Sequence, residues 1–333
     1  MRTDVTISKD ELQIFLNLQP KSIKIDYPLT NEQIATIEDE GKIYNIELHI
    51  ENDLSGFSPS ELWQLEQPNH SDYMQCFLAS GLASYKNIEN FERMDRTYEN
   101  IPQDVVYAPD TNLYYNRFLS NRLIEPSRIL VVESVHDEIN LVLNKKYTPR
   151  HVNDLKRAAK FQSGILDEFV NGRMKQSRKA YNLALQEFLK YRNKAYAVVR
   201  TEDLTGDKER NDMVFVEGVA NYGKTSNTYP VVLTSDRLLT DVCESNGVQS
   251  FLLEYPDVVN PSYCSPEKLC RLILNLAGVL GVVQVNNVLV FGEYRGRTGR
   301  DRYKLRYLSG IIPLILERDL EICRELNKLK IPF

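Results

Sequence analysis

The stretch Val105-Val106-Tyr107-Ala108-Pro109-Asp110-Thr111-Asn112 places a short apolar run directly before an acidic residue. Further apolar runs of this kind follow, separated by sequence of helical character, and this alternation is typical of a parallel β-sheet covered by helices. The runs are Val105 to Ala108, Ile129 to Val132, Tyr196 to Val199, Val231 to Thr234 and Ser250 to Leu253. We therefore predict an α/β domain with a central parallel sheet over residues 104–256.

Different patterns flank this domain. Residues 1–103 include a strand-like alternation from Asn45 to Ile50 and helix starts at Ser8 and Ser58, which predict a mixed α+β module. Residues 257–333 carry a helix start at Ser265, a turn at Asn286-Asn287 that suits a type I′ hairpin, a third strand and a closing helix. We expect this segment to form a separate small α+β module.

Composition limits the classes of protein that fit. The chain has 333 residues, of which 42% are hydrophobic, so it can bury a substantial core. Its five cysteines are scattered and form no Cys-x-x-Cys pair, the N-terminus shows no signal peptide, and the apolar stretch from Leu272 to Phe291 is interrupted by Asn and Gln. These features predict a cytoplasmic protein that is not embedded in a membrane.

Charge is segregated along the chain. Residues 1–100 contain 8 Lys and Arg against 18 Asp and Glu, whereas residues 145–200 contain 14 against 4. The positive segment lies mostly in a predicted helical hairpin, residues 148–195, which opens at Thr148-Pro149. Its candidate nucleic-acid contacts are Lys156, Arg157, Lys160, Arg173, Lys175, Arg178 and Lys179. Such a surface suits a polyanion, although a solvated helical face would show the same pattern.

Four acids are positioned to meet at one edge of the predicted sheet. Asp110 and Asp236 each follow a buried strand, Glu138 lies just beyond the second strand, and Asp212 begins an amphipathic helix. Ligands gather outside the carboxyl ends of parallel strands, so we expect these side chains to form one site. Taken one at a time, Asp110 could be only a helix cap, and Glu138 and Asp212 only solvated helix residues.

Clustered carboxylates repel each other and raise one another's pKa, and a divalent cation removes that cost. An all-oxygen site suits Mg²⁺ or Mn²⁺ better than zinc. The chemistry that such a site favours is in-line hydrolysis of a phosphodiester, in which the metal lowers the pKa of the attacking water.

In their order and spacing, these segments resemble the PIN-domain nucleases. The similarity covers roughly Val105 to Tyr255 and rests on PDTN at 109–112, SVHDEI at 134–139, Asn211-Asp212 and TSDR at 234–237. It implies a three-layer α/β/α fold, an acidic Mg²⁺ or Mn²⁺ pocket and endonucleolytic cleavage of RNA. The segment between Glu138 and Asp212 is long for the family.

Carried over by position, the resemblance assigns Asp110, Glu138, Asp212 and Asp236 as catalytic metal ligands, with Asn112, Thr234 and Ser235 in support. Thr234 and Ser235 match small hydroxyl positions near the metal-bound water. The third acid is the least certain, because further acids lie close to it in sequence: Asp137, Glu202, Asp203, Asp207 and Glu209.

Cations also alternate with aromatic residues in the C-terminal module. Tyr294, Tyr303 and Tyr307 could stack on unpaired bases while neighbouring arginines contact phosphates, which would suit single-stranded nucleic acid. The candidate contacts are Arg295, Arg297, Arg300 and Arg302. Alternatively, the tyrosine rings cover cross-strand neighbours on an ordinary hairpin.

The sequence therefore predicts a metal-dependent ribonuclease acting on single-stranded RNA, with RNA ahead of DNA as substrate. Two alternatives stay open, a PIN-like scaffold that binds nucleic acid or protein without cleaving, and a DNA-directed nuclease of a related fold. A partner protein or a second copy of the chain is a further candidate for binding, because the flanking modules exceed what a PIN domain alone contains.

Overall fold

The computed structural model describes residues 4–49, 66–159, 161–295 and 301–329. Its strands β1 to β13 are Asp4–Ser8, Ser22–Tyr27, Glu32–Asp39, Tyr44–Leu48, Asp104–Pro109, Leu130–Val132, Ala197–Val199, Thr228–Thr234, Gln249–Leu252, Tyr263–Cys264, Val282–Val285, Val288–Phe291 and Arg302–Tyr307. Its helices α1 to α13 are Leu12–Asn17, His70–Ser80, Ile88–Tyr98, Thr111–Tyr115, Phe118–Asn121, Glu133–Val142, Pro149–Ala158, Lys175–Lys179, Leu185–Arg192, Lys208–Thr225, Arg237–Ser245, Pro266–Leu280 and Leu314–Lys328. A π-helical turn, Ala180–Ala184, joins α8 to α9.

The chain divides into two compact units. The parallel unit comprises Phe77–Lys145 and Lys179–Val259, and the antiparallel unit comprises Met1–Cys76, Lys146–Arg178 and Asn260–Phe333. This division differs from the three modules expected from the sequence. The N-terminal and C-terminal segments share one sheet, and most of the predicted basic hairpin belongs to the antiparallel unit.

The antiparallel unit is built on an eight-stranded sheet in the order β1-β13-β12-β11-β2-β3-β4-β10. Every pairing in it is antiparallel, including β1 with β13, which lie about as far apart in sequence as the chain allows. The predicted hairpin at Asn286-Asn287 is confirmed, but only Asn286 of the two has a positive φ, of 53°, whereas a type I′ turn requires positive φ at both residues. The predicted helix start at Ser58 lies outside the described residues.

The parallel unit contains the five strands predicted from the apolar runs. β5 pairs with β8, β8 with β9, and β6 with β7, all in parallel. A parallel bridge between Tyr107 and Ile129 connects β5 to β6, so the strands run in the order β7-β6-β5-β8-β9. Mixed α/β architecture with a parallel sheet is thus confirmed.

The strand order has a consequence for ligand binding. The chain places β6 and β7 on one side of β5, and β8 and β9 on the other, so the direction of winding reverses between β5 and β8. In open parallel sheets, ligands bind at the carboxyl ends of the two strands that flank such a reversal. Those ends are Pro109 and Thr234, and the residues that follow them define the candidate site.

Candidate carboxylate site

Asp110 is fixed by four hydrogen bonds at the end of β5. Its backbone N–H donates to the Leu233 carbonyl of β8 at 2.8 Å, and its Oδ1 accepts from the Thr111 N–H at 2.6 Å, which caps α4. Its Oδ2 accepts from Thr234 Oγ1 at 3.0 Å and from Asn112 Nδ2 at 3.2 Å. The helix-cap reading of Asp110 is therefore correct, and the cap uses one oxygen while the other faces the polar cluster.

The pKa of Asp110 is raised to about 6, chiefly by burial and also by the negative charges of Glu138 and Asp212. The hydrogen bonds from Thr234 and Thr111 act in the opposite direction, because they stabilise the ionised form. Ionised Asp110 therefore carries an electrostatic cost in the folded state at neutral pH.

Asp236 follows β8 and caps α11. Its Oδ1 accepts from the Leu238 N–H at 2.9 Å, and its Oδ2 accepts from Lys208 Nζ at 2.9 Å. Burial acts to raise the pKa of Asp236, but the bonds from Lys208 and Leu238 outweigh it and hold that pKa below its ordinary value. The two strand-end acids thus have opposite environments. Asp236 pairs with the Lys208 ammonium and has a lowered pKa, whereas Asp110 has a raised pKa.

Two buried threonines connect the carboxylates. Thr234 Oγ1 donates to Asp110 and accepts from the Asp236 N–H at 2.9 Å, so a single hydroxyl joins the two strand-end acids. Thr111 Oγ1 donates to Glu138 Oε2, and the Thr111 N–H donates to Asp110 Oδ1. Thr111 was not predicted as a site residue, although its position directly after the capping Asp in PDTN was an available signal.

Asp212 is the acid of α10 that joins the cluster. The helix begins at Lys208 rather than at Asn211, so Asp212 lies in its second turn and is not a first-turn acid. Burial raises the pKa of Asp212, and the charges of Asp236, Glu138 and Glu209 raise it further, while Lys208 lowers it. Asp212 therefore shares an electrostatic environment with Asp236 and Glu138.

Three of the five competing acids have contacts outside the cluster. Asp207 caps α10 by accepting from the Glu209 N–H at 3.1 Å, and Glu202 lies 3.6 Å from Arg210 in an exposed ion pair. Asp137 is exposed and lies 3.9 Å from His136. These contacts favour Asp212 as the third acid.

The structure brings Asp110, Glu138, Asp212 and Asp236 into one electrostatic cluster, drawn from four separate segments of the chain. Across the described residues, no three His, Cys, Asp or Glu side chains converge closely enough to hold a metal ion in the positions shown. The Lys208 ammonium supplies a positive charge at this point. Because the donors are carboxylate and hydroxyl oxygens, their chemistry fits Mg²⁺ or Mn²⁺.

Of the other predicted supporting residues, Asn112 hydrogen-bonds to a site acid and Ser235 hydrogen-bonds elsewhere. Asn112 contacts Asp110, as predicted, whereas Ser235 Oγ donates to the Tyr255 hydroxyl at 3.4 Å. His136 stacks on Phe188 with 5.1 Å between ring centroids, so it has a packing role here.

Two residues of the basic segment are buried, which contradicts their assignment as nucleic-acid contacts. Lys175 pairs with Asp72 at 2.8 Å, and Arg178, 1% exposed, donates to the carbonyls of Val279 and Leu280 at the end of α12. Each is buried because it satisfies polar groups distant in sequence. Charged side chains this well satisfied belong to the core of the antiparallel unit.

The remaining basic residues are more accessible. Lys156 pairs with Asp167 at 2.6 Å and Arg157 with Asp154 at 3.4 Å, both near the surface. Arg173 and Lys179 are half-buried, and Lys160 lies outside the described residues.

The predicted stacking surface of the C-terminal segment is also corrected. Tyr294, Tyr303 and Tyr307 are buried, so their rings are not available to stack on bases. Lys304 pairs with Glu168, and Arg306 with Asp4 and Glu168. Arg295 and Arg302 are exposed, while Arg297 and Arg300 lie outside the described residues.

Comparison with known proteins leaves the chain without a family. Neither a protein-family model nor a curated protein matches the sequence. Among solved structures, it is similar to a domain of a functionally unknown protein from Methanocaldococcus jannaschii, at 13% identity and a TM-score of 0.30, over 46% of this chain and 93% of that one. In the described residues, no helix has the length and apolar character needed to cross a membrane.

Proposed function

We propose that the parallel unit is a Mg²⁺- or Mn²⁺-dependent nuclease of the PIN type that hydrolyses phosphodiester bonds in single-stranded RNA. The observation that carries this proposal is the hydrogen-bonded chain at the carboxyl edge of a parallel sheet, beside the reversal of strand order, in which Thr234 joins Asp110 to Asp236 and Thr111 joins Asp110 to Glu138. Two of the four acids, Asp110 and Asp212, have pKa values raised by burial and by neighbouring carboxylates, which is the electrostatic condition that a bound cation relieves.

The residues have distinct tasks in this proposal. Asp110 and Asp236 would hold the metal, with Glu138 and Asp212 completing the acidic shell. A bound divalent ion supplies charge neutralisation and an activated water at neutral pH. Thr234 orients Asp110 and the Asp236 backbone together, and Thr111 orients Glu138 toward Asp110. These hydroxyls restrict the carboxylates before any ligand arrives, which lowers the cost of assembling the site.

The choice of RNA as substrate rests on the resemblance to PIN nucleases, whereas hydrolysis of phosphodiesters rests on the carboxylates. Matched single-stranded RNA and DNA, each incubated with the full chain in Mn²⁺, would separate the two substrates. We expect cleavage of RNA that stops when EDTA is added.

Asp110→Asn and Asp236→Asn should each reduce the cleavage rate at least about a hundredfold, the scale expected when a preorganised charge-stabilising group is lost. Asp207→Asn is the matched control, because this exposed acid caps α10 and Asn caps helices equally well. If both site variants cut as fast as the control, the carboxylates do not carry the activity.

One observation favours a second candidate, a PIN-like scaffold that binds without cleaving. Lys208 already compensates Asp236, so the cluster is partly neutralised by the chain itself. A scaffold would bind nucleic acid equally in Mn²⁺ and in EDTA. Calorimetry that shows saturable Mn²⁺ binding, abolished by Asp110→Asn, would count against it.

A further inference from the structure

Lys208 contacts the carboxylate cluster directly. It is the first residue of α10, one turn before Asp212, and its Nζ lies 2.9 Å from Asp236 Oδ2. Asp212 and Asp110 also act on it electrostatically. The Lys208 ammonium therefore interacts favourably with three of the four acids.

Lys208 contacts the oxygen of Asp236 that the helix cap does not use. Asp236 Oδ1 is committed to the N–H of Leu238, and this cap is part of the start of α11. Asp236 Oδ2 has the Lys208 ammonium as its hydrogen-bond partner. A cation bound at Asp236 Oδ2 would share this oxygen with the ammonium, and two positive charges at one oxygen repel each other.

The contact between Lys208 and Asp236 is partly exposed to solvent, which makes it easy to displace. The Lys208 side chain is 72% exposed and that of Asp236 is 21% exposed, so water competes for the ammonium. Exposed ion pairs of this kind are weak, and a lysine side chain can swing away on its flexible stem. A divalent ion concentrates twice the charge at the same oxygen.

We propose that Lys208 and the divalent cation compete for Asp236 Oδ2, so that Lys208 is a resident counterion that metal binding displaces. This inference rests on the proposed function, since it requires a metal at the carboxylates. It assigns Lys208 a positioning role that sets metal affinity. In the metal-free protein Lys208 offsets the repulsion among the acids, and metal binding must overcome this pair.

Direct Mn²⁺ titration of the full chain by calorimetry tests the proposal, with variants matched in charge. Lys208→Met removes the ammonium and keeps the apolar stem. Lys208→Arg keeps the charge. Arg210→Met loses the same charge from the same turn of α10, but Arg210 pairs with Glu202 rather than with a site acid.

We expect Lys208→Met to bind Mn²⁺ about two- to fivefold more tightly than wild type, the range that corresponds to breaking an exposed ion pair. Arg210→Met should change the affinity by clearly less, and Lys208→Arg should stay near wild type. The increase in melting temperature caused by Mn²⁺ should likewise be largest in Lys208→Met.

The possible failures are distinguishable. Wild-type protein without saturable Mn²⁺ binding would overturn both the proposed function and this inference. Wild-type binding that Asp110→Asn abolishes, together with equal or weaker binding by Lys208→Met, would overturn the inference alone. Equal gains in Lys208→Met and Arg210→Met would also overturn it, because they would show a general field effect without competition.

Discussion

Replacing Asp110 by Asn should stabilise the metal-free protein at neutral pH, although it should destroy metal binding. Burial raises the pKa of this half-buried carboxyl from an ordinary value near 3.8 to about 6. The folded state therefore holds the proton more tightly than the unfolded chain does. Any stability linked to that proton is present at low pH and is lost as pH rises from about 4 through about 6.

The magnitude follows from the shift of about 2 pKa units, each worth about 1.4 kcal/mol. Ionised Asp110 thus costs the folded state at most about 3 kcal/mol above pH 7, and about 1 kcal/mol at pH 4.5. Asn retains the acceptor for the Thr111 N–H but disturbs the bond from Thr234, an offset of about 1 kcal/mol. The net gain at pH 8 should be about 1–2 kcal/mol.

Urea unfolding of wild type and Asp110→Asn in EDTA, at pH 4.5 and pH 8, measures this difference. We expect the variant to gain stability relative to wild type as pH rises, and the order to reverse at pH 8 when Mn²⁺ is added, since a ligand stabilises the protein that binds it. A difference that does not change with pH would refute the electrostatic reasoning about Asp110.

Three further predictions concern residues around the site and in the core. Thr234→Val should cost about 1–3 kcal/mol of unfolding free energy, because the fully buried Thr234 hydroxyl joins Asp110 to Asp236. Thr234→Ser keeps the hydroxyl and should lose much less stability, and equal losses in Thr234→Val and Thr234→Ser would contradict the role of the hydroxyl. Lys175→Met should cost about 3–5 kcal/mol by removing the ammonium that compensates the buried Asp72, against about 1 kcal/mol or less for Lys156→Met, whose partner Asp167 is exposed. Denaturation that ranks them otherwise would contradict the burial argument. Asp212→Asn should slow RNA cleavage at least about tenfold while Asp207→Asn leaves it within about twofold, and the reverse result would reassign the third acid.

The strands of the parallel unit could be predicted because each is an apolar run that local sequence reveals. Their order could not, since the bridge between Tyr107 and Ile129 depends on tertiary packing. The antiparallel sheet was missed as a single unit for the same reason. Its first and last strands, β1 and β13, pair across nearly the whole chain, and no local pattern reports such a contact.

The positions of the strand-end acids were predictable, but their partners were not. Lys208 could be seen four residues before Asp212, whereas its contact with Asp236 depends on how α10 packs beside β8. Lys175 and Arg178 were predicted to lie on a basic surface because charged residues usually do. Their burial depends on Asp72 and on the carbonyls of Val279 and Leu280, which come from distant segments.

A crystal structure of the protein grown or soaked with Mn²⁺, with data collected at the manganese edge, tests the central claim most directly. The account predicts an anomalous peak within about 2.0–2.6 Å of carboxylate oxygens of Asp110 and Asp236, with the Lys208 ammonium moved away from Asp236 Oδ2. A site without a peak at saturating Mn²⁺, with the pair between Lys208 and Asp236 intact, would contradict it.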